Sequence, residues 1–273
     1  MDVGLLAPTL KGQTLKDLSV MFIPGLIGLW RLNEGNGLIA RDLSGYGNDG
    51  ALEGTTPIWV DGISGKAVNF PGVNERIDCG NGSPLDQIGN GSFWIPFWMK
   101  SKDAVPLPFG RLFDKIQDGN NWIFFSSDNV SNRLRFYMKK TVLVQEAFST
   151  GSAPFDTEFN HIVLIINRTT DKAIVYVNTV KDSTEIDISS LPIDCSNTGN
   201  VSWGARTNGL NPYEGLLDEL YVFLGIPTQE QIDYLFNNPG GAAFSYKEKT
   251  SNLYTIVDRT SNLFTKKEGD SNL

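Results

Sequence analysis

The sequence predicts an all-β protein: two antiparallel sheets packed face to face, one short helix near the C-terminal end, and extended arms at both termini. Short segments rich in β-branched and aromatic residues recur from Gly25 to Leu224. Turn-forming residues separate them: the chain has 28 glycines in 273 residues and Asn-Gly pairs at 36–37, 81–82, 90–91 and 208–209. No helical period falls between these segments, which argues against the alternating strand–helix order of a parallel sheet.

Residues 1–24 have mixed polarity and no clear period, and read as an N-terminal arm. The domain runs over residues 25–240. Its early candidate strands are GLWRL (28–32), KAVNF (66–70), ERIDC (75–79) and SFWIPFWMK (92–100). RLFDKI (111–116), WIFFSS (122–127), RLRFYM (133–138) and TVLVQEAF (141–148) follow. NHIVLIINR (160–168), KAIVYVNT (172–179) and LLDELYVFL (216–224) complete the set. RLRFYM and AIVYV alternate polar with apolar, so one face of each is expected to be wet. IVLII is apolar throughout, so both of its faces are expected to be covered. In PTQEQIDYLFNNPGG, Thr228 and Gln231 have the spacing of a capping box. Ile232, Leu235 and Phe236 give an apolar stripe, and Asn238-Pro239-Gly240 ends the helix. Beyond residue 240 the triplet Ser-Asn-Leu returns every ten residues, in TSNLYTIVDR, TSNLFTKKEG and DSNL. An even period keeps each apolar residue on one face of an extended strand. Residues 241–273 therefore read as an arm lying in register on a partner; the competing reading is a duplicated, disordered tail.

The formal charge is −8 and the pI about 4.7. Such a surface repels phosphate backbones, which argues against nucleic acid as a partner. No stretch is long and apolar enough to span a bilayer. The N-terminus lacks the basic and apolar regions of a signal peptide. The two cysteines, Cys79 and Cys195, lie in no Cys-x-x-Cys pair, so a cysteine zinc site is not expected; one disulfide or two buried thiols both remain open.

The order of motifs resembles laminin-G-like, concanavalin A-like jelly-roll modules. LIGLWRLNEGNGLIARDLSGYGNDGAL resembles their opening, and WVDGISGKAVNFPG (59–72) their next element. SFWIPFWMK is similar to their Ser-Phe-Thr-x-x-x-Trp strand, with Trp94 in the Thr position. FNHIVLIINRTTDKAIVYVN resembles their paired central strands, with Phe159 where Trp is usual. GLLDELYVFLGIPTQEQIDYLF resembles the closing strand and helix. The resemblance covers roughly residues 25–240 and implies a jelly-roll sandwich. It also implies a possible structural calcium, for which Asp42, Asn48, Asp49 and Asp218 are the candidates; the competing reading is a hydrogen-bonded turn. Trp30, Trp59, Trp94 and Trp98 fall in the family's core pattern and are expected to be buried.

RDLSGYGNDG (41–50) has neither the lysine nor the following helix of a phosphate loop, and lacks the acidic spacing of an EF-hand. EIDISS places Ser190 where a glycosidase of this fold carries its second catalytic Glu, so Glu185 and Asp187 read as the wet face of a strand. Asp218 and Glu219 are neighbours on a strand and are expected to point to opposite faces, which excludes a carboxylate dyad. His161, the sole histidine, sits in an apolar strand and is read as packed. No Gly-x-Ser-x-Gly elbow, triad or zinc cluster is present. The glycan candidates are Trp122, after the DGNN turn, and Arg206, Asn208, Asn211 and Tyr213 in ARTNGLNPYEG; the competing reading of that segment is an ordinary polar hairpin loop.

These readings converge on a non-enzymatic structural or adhesive protein of a large assembly. The expected setting is a phage or virus-like virion, as a decoration or fibre-type component, made in a host cytoplasm. The expected partners are other subunits, gripped through the arms in an oligomer. The alternatives are a carbohydrate-binding, lectin-like module taking cell-surface glycan, with an extracellular location, and a glycosidase of concanavalin A-like fold.

Overall fold

The computed structural model describes residues 23–54, 58–104, 106–128, 132–148, 154–241, 253–258 and 262–267. In chain order the strands are β1 (Leu26–Trp30), β2 (Ile39–Ala40), β3 (Gly50–Glu53), β4 (Ile58–Asp61), β5 (Lys66–Pro71) and β6 (Arg76–Asp78). Next come β7 (Phe93–Ser101), β8 (Arg111–Ile116), β9 (Asn121–Ser127), β10 (Leu134–Lys140), β11 (Leu143–Phe148) and β12 (Asn160–Asn167). β13 (Lys172–Val177), β14 (Val180–Asp187), β15 (Val201–Trp203), β16 (Glu214–Asp218), β17 (Leu220–Leu224) and helix α1 (Gln229–Asn237) complete the domain. One sheet runs β14-β13-β12-β7-β16-β5-β4, with β17 against β7 and β1 against β17; the other runs β11-β10-β9-β8-β15-β6-β3-β2. Every strand pairing is antiparallel. The chain is a two-sheet antiparallel jelly-roll sandwich.

Inward-facing residues of the two sheets meet in one core. Trp203 sits at its centre, edge-on to Phe113, Phe97 and Trp30, with ring centroids 5.2, 5.7 and 6.2 Å away. Edge-to-face pairs align ring edge with ring face and add about 0.5–1.5 kcal/mol each beyond area burial. Trp30, Trp94 and Trp98 are buried as expected. Trp59 is not: it lies on edge strand β4, half-buried, and its indole N–H reaches Gly37 O at 2.9 Å.

β12 is buried on both faces, and α1 covers the outer side of its sheet at the His161 end. Phe236 stacks on Trp98 at 5.5 Å and lies 6.1 Å from His161. The helix starts as the sequence predicts: Thr228 Oγ1 accepts from Gln231 N, and the Gln231 side chain accepts from Thr228 N. The segment 216–224, read as one strand, is two. Glu219 breaks it with a left-handed φ of 48°. The break also accommodates Pro96, which cannot donate within a central strand. β17 pairs with β7 at Phe93 and Trp94, and β16 pairs with it from Trp98 onward, so Pro96 falls in the gap.

Residues 24–241 form one compact unit, and the tail repeat belongs to another. Its two copies pair with each other, β18 (Leu253–Asp258) against β19 (Asn262–Lys267), with Ile256 opposite Phe264. The in-register partner of each repeat is thus the other repeat. The N-terminal arm, residues 1–22, lies outside the described residues.

Candidate functional site

The outer face of the second sheet gathers aromatic rings and guanidinium groups. Side chains alternate along a strand, and register aligns them across strands. Asp114 on β8, Phe124 on β9, Tyr137 on β10 and Glu146 on β11 form one cross-strand row. Ile116, Trp122, Lys139 and Val144 form the next. Arg111, Ser126 and Arg135 begin the third. Arg111 and Asp114 are three residues apart and would lie on opposite faces of a regular strand. A bulge between Arg111 and Phe113 adds one residue and turns both outward.

Phe124 and Tyr137 stack with centroids 4.7 Å apart and planes 4° apart. Arg111 lies under this stack, its guanidinium carbon 3.5 Å from the Phe124 centroid and its Nε 2.9 Å from Asp114 Oδ1. Both members of this pair are buried. Burial pushes Asp114 up to about 6 and Arg111 down to about 10. Arg135 spans the stack, 5.0 Å from Phe124 and 5.3 Å from Tyr137, and its Nε donates to Glu146 at 2.5 Å.

Trp122 is half-buried, and its indole N–H is fixed to Asp118 O. Lys139 Nζ lies 5.8 Å from its centroid and donates to Gly119 O at 2.6 Å. Arg206 approaches from the loop after β15, its guanidinium carbon 5.5 Å from the same centroid. Gly204 aims that loop. Its φ is +84°, and a Cβ there would meet Phe70 at 2.2 Å. Arg206 N bonds Leu210 O at 3.1 Å, Gly209 N bonds Arg206 O at 2.7 Å, and Asn208 Oδ1 accepts from Leu210 N at 3.2 Å.

The structure therefore brings Trp122 and Arg206 together. Asn208 is exposed and braces the loop. Asn211 takes a left-handed φ of 54°, and its carbonyl accepts from Arg111 N at 2.9 Å. Tyr213 is a correction: it is 1 % exposed and packs in the core, so it offers no face to a sugar. Its segment enters β16, where alternation turns it inward. Phe124, Tyr137 and Arg135 were not singled out as site residues. For Arg135 and Tyr137 the signal was present in the outward positions of RLRFYM, which hold Arg and Tyr where a plain wet face would hold small polar residues; Phe124, in WIFFSS, carried none.

The calcium candidates do not form one cage. Asp42 Oδ1 accepts from Leu29 N at 3.2 Å and Ser44 N at 2.8 Å, and its Oδ2 accepts from Asn48 N at 2.9 Å. Asp49 accepts from Asp42 N at 2.8 Å and from Arg41 at 2.7 Å. Asn48 O takes the Trp30 indole N–H at 2.9 Å. These oxygens are engaged in closing the turn. Asp218 serves another one, accepting from Ile63 N at 2.9 Å, Ser64 N at 3.3 Å and Glu219 N at 2.8 Å. Among the described residues no three His, Cys, Asp or Glu side chains gather as a metal cluster. As arranged, the set does not fit a hard cation, which needs several oxygens converging on one point.

The remaining acids are likewise committed. Glu219 accepts from the Tyr221 hydroxyl at 2.6 Å and faces Arg31 at 3.9 Å. Burial, then the Glu219 charge, pushes Asp218 up to about 8. Glu185 and Asp187 are exposed on β14, where Lys181 bonds Glu185 and Lys172 lies 3.5 Å from Asp187. Cys79 and Cys195 are both free and buried. Burial raises both thiols, Cys195 to about 11, which keeps them protonated and unreactive.

The fold is an antiparallel jelly-roll sandwich whose second sheet carries an aromatic and cationic outer face. The chain matches the sequence profile of the Laminin_G_3 family, of the concanavalin A-like lectin/glucanases superfamily, over residues 74–233, and it belongs to that family. Among solved structures it is similar to domain 4 of AbnA, a GH43 extracellular arabinanase from Geobacillus stearothermophilus, solved with arabinotriose. The TM-score is 0.61 at 18% identity, over 77% of this chain and 98% of that domain. It is also similar to the binding domain of botulinum neurotoxin DC, solved with rat synaptotagmin II, at a TM-score of 0.61 and 15% identity. That match covers 84% of this chain and 53% of that domain, so the chain spans about half of it. The binding domain of Paraclostridial Mosquitocidal Protein 1 matches at a TM-score of 0.61 and 15% identity, over 91% of this chain and 69% of that one. At such identities the likeness shows the fold alone. No curated protein sequence matches the chain. Among the described residues no helix is long and apolar enough to cross a membrane.

Proposed function

We propose that this protein is a non-catalytic carbohydrate-binding module whose outer sheet face takes the sugar. The supporting observation is half-buried Trp122 beside Lys139 and Tyr137, backed by buried Phe124, with Arg206 and Arg135 as donors at its sides. Sugars expose flat C–H faces that pack on aromatic rings, and hydroxyls that bond to fixed polar groups. The fold neighbour solved with arabinotriose and the toxin binding domains are in keeping with this reading. Among the described residues no free carboxylate pair faces such a site: Asp114 is bound to Arg111 and Glu146 to Arg135. Glycan-array screening tests it. Trp122→Ala should abolish the strongest signal, whereas Tyr213→Phe should leave it unchanged. Signal indifferent to Trp122→Ala would remove this face as the site.

The second reading is a structural component of a virion-like assembly, displaying the sandwich and gripping other subunits through its terminal segments. It draws on the separate C-terminal unit, where the repeated segment supplies its own paired strands. An isolated two-stranded hairpin is marginal in water, so a partner surface would stabilise it. Light scattering of the full chain and of a chain ending at Gly241 checks this: an oligomer that becomes a monomer on truncation supports it, and a monomer in both cases removes it.

A further inference from the structure

We infer that the glycan taken by this face carries a carboxylate, and that Arg206 is the residue that selects it; the inference rests on the carbohydrate-binding reading above.

The argument starts from how each arginine is satisfied. A guanidinium has five N–H donors, and a half-buried one needs acceptors for them. Arg31 donates to Gly240 O and Gly241 O, Arg41 to Asp49, Arg76 to Glu53 and Arg111 to Asp114. Arg133 donates to Asp128, Arg135 to Glu146, and Arg168 to Ile188 O and Leu191 O. Among the described arginines only Arg206 donates no side-chain hydrogen bond within the chain. Its Nε is shielded from solvent and has no partner. Asp114 is close enough to feel its charge; its Oδ1 is held by Arg111 at 2.9 Å and its Oδ2 makes no hydrogen bond, so this one carboxylate stands against two guanidinium charges.

The position of this unsatisfied cation matters as much as its charge. It is held 5.5 Å from the Trp122 centroid, on a loop fixed by Gly204 and by the 2.7 Å Gly209–Arg206 bond. The fixed loop holds the planar fork beside the Trp122 ring before any ligand arrives, and a planar fork matches a carboxylate through two parallel bonds. Lys139, 5.8 Å from the same ring, adds a second positive charge at that edge. The protein carries a net charge of −8, so this local positive region is set against the molecule's own field. A neutral sugar would leave Arg206 without a strong acceptor, and an acidic sugar would supply one. One unpaired guanidinium calls for one carboxylate, pendant from a ring whose C–H face rests on Trp122 and Tyr137. Uronates and sialic acids share this chemistry.

Matched pairs of probes separate the possibilities. Calorimetry would compare sialyllactose with lactose, and tetragalacturonate with its carboxyl-reduced tetramer. The charged member of at least one pair should bind about tenfold or more tightly, and the pair that discriminates identifies the source of the carboxylate. Arg206→Ala should erase that preference, bringing the charged member's affinity down to that of the neutral member measured on the same variant, and Arg206→Lys should restore part of it. Equal binding within both pairs, with loss on Trp122→Ala, overturns this inference and leaves the carbohydrate reading standing. A charged preference that survives Arg206→Ala overturns it too, as does stronger binding of sulfated lactose than of either acidic probe. No binding of any sugar on these probes or on the array overturns both readings. Circular dichroism of each variant confirms the fold.

Discussion

His161 lies 5.1 Å from Trp98 and 6.1 Å from Phe236, beneath α1, and burial alone pushes it down to about 3. In the unfolded chain it titrates at about 6.5. Its folded pKa is depressed, so its contribution to stability is complete above pH 6.5. It is lost as pH falls, because the unfolded state takes up a proton that the folded state refuses until about pH 3. The slope is about 1.4 kcal/mol per pH unit. Asp218 acts in the opposite sense. Its pKa is raised to about 8, so the stability it gives is complete below the unfolded carboxylate pKa and is lost as pH rises through 8. The two effects oppose each other between pH 4 and 6.5. His161→Phe isolates the histidine: denaturant unfolding at pH 7 and pH 5 should show about 2 kcal/mol less acid destabilisation in the variant than in the parent. Equal pH dependence in both would mean His161 is protonated in the folded state. At this scale the sequence shows residue type and little about burial. Trp122 and Tyr213 are both aromatic residues beside polar turns; one lines the outer face and the other fills the core. The difference is set by which parity of its strand faces inward, and the ladder fixes that parity across distant segments.

At the scale of the elements, most long strands were legible and most short ones were not; three-residue β6, read in ERIDC, and eight-residue β14, read only through EIDISS, are the exceptions. RLFDKI and the capped helix stand where the sequence places them. β2 and β15 have two and three residues, too few for a period, and exist because β3, β6 and β8 offer them ladders. The bulge after Arg111 and the break at Glu219 were illegible for a related reason: each is a response to a neighbouring strand. Gly204, next to β15, connects an element to the site. Gly204→Ala would place a methyl group 2.2 Å from Phe70 at a φ of +84°. The left-handed backbone costs an alanine about 1–2 kcal/mol, and overpacking adds about 1–3. Chemical denaturation should show a loss of about 2–5 kcal/mol, and sugar binding should weaken as the Arg206 loop shifts. A variant with parental stability would show that Phe70 can yield without cost.

At the scale of the whole molecule, hydrogen bonds and core packing hold the sandwich closed, and its ends mark where the folded unit stops. Because Asp42 and Asp49 face N–H donors of their own loop, chelation should leave the melting temperature unchanged; a fall of several degrees would reveal a bound ion that stabilises the native state. The C-terminal boundary admits a sharper test. Arg31, 8 % exposed, donates to the carbonyls of Gly240 and Gly241, and beside it Glu219 is fully buried at 3.9 Å. A buried guanidinium needs those acceptors, since a charge-assisted bond contributes about 1.5–3 kcal/mol and losing it leaves N–H groups desolvated. A chain ending at Gly241 keeps both acceptors and the whole core of residues 24–241, so it should melt within about 2 °C of the full chain. A chain ending at Asn238 is only three residues shorter, yet it loses both carbonyls. It should be less stable by about 2–4 kcal/mol and melt about 5–15 °C lower. Equal melting of the two truncated chains would show that the Arg31 contacts contribute nothing, whereas loss of folding in both would place part of the core beyond Gly241.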